Sequence, residues 1–300
     1  MGELLEKEKT AIERLKAFEP EDEPYYLAYS GGKDSDVIRI LAQLADVKHE
    51  CKHNLTTVDA PETVRYVRET IGWENVEKPA LSMWQLIVKK KFPPTRVVRY
   101  CCSELKERGG KNRKKITGVR WAESINRKNS SGLINIIGRP KSIQKQADEY
   151  GAEYKVNKSG SLVMNDDNSP TRRIVEMCYR TSMVLVNPII DWTEKDVWEF
   201  LNYYDCESNP LYQCGWKRIG CIGCPLGGAN SQKREFQYYP KYKAAYIKAF
   251  DRMLKKRTED GIENKTMWKT GEDVMKWWLG ENPLQMTWDE YLEAIEEIEE

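Results

Sequence analysis

Two groups of residues in this sequence have the types and spacing for chemistry. One is the run Ser30-Gly31-Gly32-Lys33-Asp34-Ser35; the other is four cysteines, the adjacent pair Cys101-Cys102 and the turn Cys221-Ile222-Gly223-Cys224. The run suits a phosphate. Two glycines let backbone N–H groups come close to an anion. Ser30 and Ser35 add hydroxyl donors, Lys33 adds charge, and Asp34 suits a Mg²⁺ ion or the orientation of the loop. The run lacks the Walker spacing GxxxxGK[ST], yet a helix following it would turn unpaired N–H groups and a positive dipole end toward the same anion. A plain strand-to-helix turn is the alternative; the two hydroxyls, the lysine and the flanking elements weigh against it.

The cysteines number eight: Cys51, Cys101, Cys102, Cys178, Cys206, Cys214, Cys221 and Cys224. A CxxC turn freed by glycine points two thiolates at one metal or serves redox chemistry, and alone it does not choose between them. Adjacent cysteines rarely both bind one zinc ion, but they reach separate corners of a larger cluster. Cys214 lies near Lys217 and Arg218, which would lower its pKa; a buried structural role is the alternative. Cys51 stands between His49 and His53, the two histidines of the chain. That spacing allows a zinc site, and a surface strand or loop is the plainer reading.

These residues need a scaffold, and the sequence supplies an alternating one. Leu4, Leu5, Ile12, Leu15 and Phe18 mark an amphipathic N-terminal helix, closed by Pro20 and the linker EPEDEP. Pro24–Tyr29 reads as a buried strand. After the loop, Val37, Ile38, Leu41, Leu44 and Ala45 lie on one helical face. Residues 54–58 read as a second strand ending at Asp59, 62–71 as a helix, and 115–120 and 184–190 as further extended runs. Such alternation implies an α/β fold with a parallel sheet covered on both faces. Ligands in such sheets bind at the carboxyl ends of the strands, here at Ser30, Asp59 and Arg120. Residues 125–180 read as a loop-rich insertion facing solvent or substrate. Thr193-Glu194-Lys195-Asp196 starts a helix, and Thr287 with Glu290 caps a terminal one. The expected division is an N-terminal helix (1–20), a nucleotide-binding domain (21–204) and a helical, cysteine-bearing region (205–300).

Forty-eight basic residues against forty-seven acidic ones leave a net charge of +1, with no global case for nucleic-acid binding. The segment Lys106–Lys115 is strongly basic and Glu290–Glu300 strongly acidic, both readable as solvated faces. The first twenty residues lack the apolar stretch of a signal peptide, and no run is long enough to span a membrane. A cytoplasmic location is expected, where cysteines serve metals or catalysis before disulfides.

The loop resembles the PP-loop of N-type ATP pyrophosphatases. Further stretches resemble the phosphoadenosine phosphosulfate reductase family: DAPET (Asp59–Thr63), CCSELK (Cys101–Lys106), GVRWAES (Gly118–Ser124), NPIIDWTEKDVW (Asn187–Trp198), NPLY (Asn209–Tyr212) and KRIGCIGCP (Lys217–Pro225). They run in family order over roughly two thirds of the chain. The resemblance implies an adenine-nucleotide α-hydrolase-like fold and an enzyme. It implies that Ser30, Gly31, Gly32, Lys33, Asp34, Ser35, Asp59, Arg120 and Glu123 bind the nucleotide, with Lys33, Asp34, Lys106 and Arg120 catalytic. A guanidinium following a strand suits a bidentate grip on phosphate or sulfate; an ion pair with Glu123 is the alternative for Arg120.

Relatives in this family, including adenylyl sulfate reductases and the sulfur-inserting enzymes of DNA phosphorothioation, hold a 4Fe-4S cluster on a Cys-Cys pair and a distant CxxC. The pattern here most resembles those iron–sulfur members and implies ligation by Cys101, Cys102, Cys221 and Cys224. Zinc on the same thiolates, or unligated thiols, are the alternatives. The family's reductases carry a reactive cysteine in a Glu-Cys-Gly tail, whereas this sequence has no cysteine after Cys224. Its loop also keeps the full SGGxDS form of the ATP-using branches. The expectation is therefore Mg²⁺-assisted attack on the α-phosphorus of ATP, pyrophosphate release and sulfur transfer. Reduction of an adenosine phosphosulfate to sulfite is the second reading, and a non-catalytic nucleotide- or nucleic-acid-binding subunit the third. Expected partners are a sulfur donor such as a cysteine desulfurase or a reductant protein, and a nucleic-acid substrate or modification complex.

Overall fold

The computed structural model describes residues 2–138, 140–262 and 268–281. Contacts divide the chain into two compact units that interleave in sequence: Met1–His53, Glu62–Glu77 and Gly109–Ile219 in the first, Asn54–Pro61, Lys78–Arg108 and Gly220–Glu300 in the second. This differs from the expected single boundary after residue 204. The N-terminal helix α1 (Gly2–Ala17) is not a separate piece either. It packs within the first unit, where the Tyr25 hydroxyl donates to Leu15 O at 2.8 Å and Arg14 forks onto Asp191, both contacts at 2.9 Å.

The first unit is an α/β fold around an eight-stranded sheet in the order β3-β2-β1-β4-β8-β5-β7-β6. Its parallel part comprises β1 (Tyr25–Ala28), β2 (His49–Asn54), β4 (Lys114–Ile116) and β8 (Met183–Val186), with β3 (Val76–Glu77) at the edge. Short strands β5 (Ile134–Ile137), β6 (Lys155–Val156) and β7 (Leu162–Met164) extend it in antiparallel fashion. Residues 125–180 are therefore not a solvent-facing insertion. Their buried faces, Ile134, Ile136, Leu162 and Met164, continue the core of the sheet. They are covered by α6 (Pro140–Glu149) and α7 (Ser169–Cys178), after a short α5 (Ile125–Ser130).

The second strand also falls earlier than expected. β2 is the polar sequence HECKHN, half-buried along most of its length, and of the expected strand at residues 54–58 it holds only Asn54. Thr57 there has φ +66°, a left-handed conformation incompatible with extended pairing. The predicted helices appear as α2 (Lys33–Leu44) and α3 (Pro61–Ile71), and Thr193 and Asp196 cap α8 (Glu194–Tyr203) reciprocally. The Thr287–Glu290 cap lies outside the described residues.

Helix α2 carries Asp36, a buried carboxylate beside the core. The Tyr29 hydroxyl donates to its Oδ1 at 2.5 Å, joining the residue before the glycine loop to the one after it, while Oδ2 has no partner among the described residues. Burial pushes the Asp36 carboxyl up to about 6, against opposing hydrogen bonds from Tyr29 and Tyr66 and the charge of Arg39. An unfolded aspartate titrates near 3.9. The folded state thus holds the proton longer. The stability this contributes is complete below about pH 4. It is lost as pH rises through about 6. Asp36→Asn is expected to gain on the wild type by about 3 kcal/mol between pH 4 and pH 7 in urea melts. An advantage that does not change with pH would contradict this.

The second unit is helical. Its helices are α4 (Met83–Lys90), α9 (Ala229–Tyr238), α10 (Pro240–Glu259) and α11 (Gly271–Trp278), and α10 packs against the other three. Tyr246 and Trp278 pack tilted at 45° with ring centroids 4.9 Å apart, and Trp84 meets Tyr246 edge-on at 4.8 Å. Aromatic surface of this size supplies much of the burial in a small unit. No helix among the described residues is long and apolar enough to cross a membrane.

Candidate functional site

The first unit assembles the phosphate-loop residues at the carboxyl end of β1. Gly31 has φ +74°, and a β-carbon there would lie 2.7 Å from Val67 Cγ2, so only glycine fits. Asn209, fully buried, donates to Gly31 O at 2.9 Å and to Thr63 Oγ1 at 3.1 Å, fixing the loop against α3. The Ser35 hydroxyl donates to Gly32 O at 2.6 Å and accepts from Gly32 N at 3.1 Å; Ser30 donates to it at 3.3 Å. Ser35 therefore holds the loop's shape here rather than presenting a free donor.

Gly118, after β4, brings a second segment onto the loop: a β-carbon at this position would lie 2.8 Å from Asp34 O. The close approach delivers Arg120, only 2% exposed. Its Nε donates to Asp34 Oδ1 at 2.6 Å, its Nη2 to Glu194 Oε2 at 2.9 Å and its Nη1 to Trp192 O at 3.3 Å. Lys33, also buried, lies 3.6 Å from Asp34 Oδ2 and 3.4 Å from Glu194 Oε1. Two cations and two carboxylates thus form one closed, neutral set beside the N-terminus of α2. Burial works to raise the Glu194 carboxyl, but the Arg120 hydrogen bond and the charges of Lys33 and Arg120 hold it below the usual carboxylate range.

This arrangement replaces the alternative in which Arg120 pairs with Glu123. Glu123 instead accepts from the Arg120 backbone N at 3.3 Å and faces Arg127 Nε at 3.7 Å. Two residues went unassigned in the sequence. Glu194 read only as part of a helix start. Tyr212 read only as part of a family stretch, yet its hydroxyl accepts from Lys33 N at 3.0 Å, at the first turn of α2.

Asp59 and Lys106 belong to the second unit, with the four cysteines. Asp59 accepts from Thr56 N at 2.7 Å through Oδ2, and its backbone bridges to Cys221. Cys101 immediately precedes a π-helical turn, Cys102–Lys106, a form that departs from regular helix and recurs at functional sites. The CxxC turn is pinned at Gly223, whose N donates to Glu235 Oε2 at 2.6 Å and whose O accepts from Gln232 at 3.0 Å. The Cys102 thiol is pulled down to about 6 by a hydrogen bond from Cys101 and by Arg99. Cys101 is pushed up by that same bond, by burial and by the charges of Cys102, Cys221 and Cys224, and burial lifts Cys221 to about 12. Among the described residues, no group of three or more His, Cys, Asp or Glu side chains is disposed to hold a metal ion as it stands.

The remaining cysteines divide as follows. Cys214 is exposed, so the buried structural alternative does not hold for it. Cys51 lies on a strand, β2, as the plainer reading allowed, though half-buried and pushed up to about 11 by burial, and His53 turns its Nδ1 to Tyr29 O at 2.9 Å. The basic segment 106–115 is not a continuous solvated face: Lys114 is buried on Glu176 and Arg113 pairs with Glu50 at 2.8 Å.

A model of the phosphoadenosine phosphosulfate reductase domain matches residues 24–226. An adenosine 5′-phosphosulfate reductase of Salinibacter ruber is 36% identical over 52 residues, 17% of this chain and 21% of that protein. An uncharacterized protein of Methanocaldococcus jannaschii is 26% identical over 237 residues, 76% of this chain and 42% of that protein. The chain thus spans less than half the length of these curated relatives. Among solved structures, a phosphoadenylyl-sulfate reductase from Candida auris is similar with a TM-score of 0.40 at 16% identity, covering 73% of this chain and 93% of that one. FMN adenylyltransferase of Candida glabrata gives a TM-score of 0.42 at 12% identity, covering 74% and 62%.

Proposed function

Because the chain belongs to the phosphoadenosine phosphosulfate reductase family and carries that family's adenine-nucleotide-binding domain, we propose that it binds ATP with Mg²⁺ and releases pyrophosphate in the course of sulfur transfer. The observation that carries the reading is the acidic pair inside the cationic cradle. Asp34 and Glu194 face the position where phosphates would lie, and without a metal they oppose any anion there. A divalent cation changes the balance. Mg²⁺ takes carboxylate oxygens together with nucleotide phosphates, which frees Lys33 and Arg120 for phosphate oxygens. A sulfonucleotide needing no metal would gain nothing from two carboxylates at this place.

The chain's residues then act mainly by position and charge. Loop N–H groups and the α2 dipole hold the β- and γ-phosphates. Arg120 grips an oxygen pair, Lys33 neutralises the leaving pyrophosphate, and an acceptor oxygen attacks the α-phosphorus in line. Pyrophosphate release from ATP tests the reading. Lys33→Ala is expected to lower its rate by about 10²–10³-fold. Release that does not depend on Lys33, or none with any acceptor in cluster-loaded protein, would sink it.

The four cysteines that a 4Fe-4S cluster would need lie in the second unit, Cys221 and Cys224 on a pinned CxxC turn and Cys101 and Cys102 at a π-helical turn. All-thiolate ligation suits iron–sulfur chemistry. When bound, such a group would supply electron transfer or carry sulfur. Cys101, Cys102, Cys221 and Cys224 would hold it. Anaerobic purification is expected to give brown protein with about four irons per chain, and Cys221→Ala to lose both colour and iron. One bound zinc in place of iron would contradict it.

A further inference from the structure

Apart from the phosphate loop, the first unit holds a cavity of about 660 Å³ between α2, α3 and the segment after α8. Sites for small molecules span about 300–1,000 Å³. None of residues 30–35 lines this one. One face of α2 contributes Arg39, Ile40 and Leu44. Tyr66 and Tyr204 contribute mainly ring surface, because both hydroxyls are engaged. That of Tyr66 donates to Glu207 O and that of Tyr204 to Glu8 Oε1, each at 2.9 Å. Glu69, Asp205 and Glu207, all exposed, also line the cavity.

Arg39 is the reason to expect a ligand. It is half-buried and, among the described residues, in no ion pair. Its Nη2 meets Cys206 Sγ at 4.0 Å, and its Nε has no partner among the described residues. A cation drawn from water costs free energy unless an anion reaches it. The three carboxylates of the same cavity do not reach it; among the described residues none of them is in an ion pair either. An anion alone would meet those carboxylates, and a cation alone would meet Arg39. A small ligand carrying both charges satisfies both. Its carboxylate suits the guanidinium fork, and its apolar body suits Ile40, Leu44 and the tyrosine rings.

We propose that this cavity binds a free α-amino acid with a large apolar side chain. Arg39 takes the carboxylate, Glu69, Asp205 and Glu207 attract the ammonium group, and Tyr66 and Tyr204 pack on the side chain. The assignment stands apart from the nucleotide chemistry, because it is measured without ATP.

Calorimetric titration of the full chain with L-phenylalanine and with L-leucine tests it. The tighter binder is then compared with its analogue lacking the amino group and its analogue lacking the carboxylate. Each analogue is expected to bind about tenfold more weakly, or worse, for loss of one charged contact. Arg39→Met is expected to weaken the amino acid by about tenfold or more and to spare the analogue without a carboxylate. A misfolded variant would lose both ligands, so this comparison separates lost charge from lost fold. Glu69→Gln/Glu207→Gln changes only exposed positions and decides the case if Arg39→Met loses every ligand. It should weaken the amino acid and spare the analogue without an amino group. No binding of either amino acid, analogues that bind as tightly as the amino acid, or full affinity in both variants would overturn the proposal.

Discussion

Arg120→Ala is expected to lower nucleotide turnover by about 10³-fold and to destabilise the fold by about 3 kcal/mol. Both effects come from one side chain. Arg120 is 2% exposed and serves Asp34, Glu194 and the Trp192 carbonyl together. Removing it leaves two carboxylates facing each other and Lys33 alone. Loss of a buried pair usually costs about 3–5 kcal/mol; the partial exposure of Asp34 and Glu194 puts the loss at the lower end. Turnover falls further if, as proposed, the same guanidinium also grips the phosphate as a bidentate donor. Arg120→Lys should separate the two effects, recovering more stability than turnover, since lysine keeps the charge but not the planar fork. Chemical denaturation and pyrophosphate release on the same preparations check this. Equal recovery of both by lysine would contradict it.

Gly31→Ala is expected to reduce ATP affinity more than 100-fold with a clear drop in Tm. At φ +74° an alanine costs about 1–2 kcal/mol in backbone conformation alone. Its β-carbon would also meet Val67 Cγ2 at 2.7 Å and Thr63 Cγ2 at 3.2 Å, so the loop and α3 must part. That parting breaks the Asn209 bond to Gly31 O and moves the N–H groups proposed to bind phosphate. Val67→Ala added to Gly31→Ala removes the contact but not the backbone strain. It should recover part of the Tm and little of the affinity. Calorimetry and nucleotide titration of the single and double variants decide it; full recovery of affinity would place the effect in the contact alone.

The glycine loop was legible because its chemistry is local. Two glycines, two hydroxyls and a lysine stand between an apolar strand and an amphipathic helix, and no distant residue is needed to see them. Glu194 was hidden because an acidic residue in the first turn of a helix needs no further explanation; only the fold shows it reaching Lys33 and Arg120. The antiparallel strands between 125 and 180 were hidden because each is two to four residues long, too short for alternation to register. β2 was missed for the opposite reason: its polar residues pair within the sheet, while the β-branched run after it carries the left-handed Thr57. Lys114 reads as a surface charge in a basic run, and only its place on a central strand buries it against Glu176. The cysteine pairing was read from family likeness, and the second unit gathers those four residues from segments more than one hundred residues apart in sequence.

The most direct measurement is an equilibrium titration of the full chain with ATP and with adenosine phosphosulfate, each with and without Mg²⁺. If Asp34 and Glu194 serve a metal-bound triphosphate, ATP binds tightly only with Mg²⁺, Glu194→Gln weakens that dependence, and the sulfonucleotide binds weakly in both conditions. Tight sulfonucleotide binding that ignores Mg²⁺, with ATP binding weak throughout, would contradict the account.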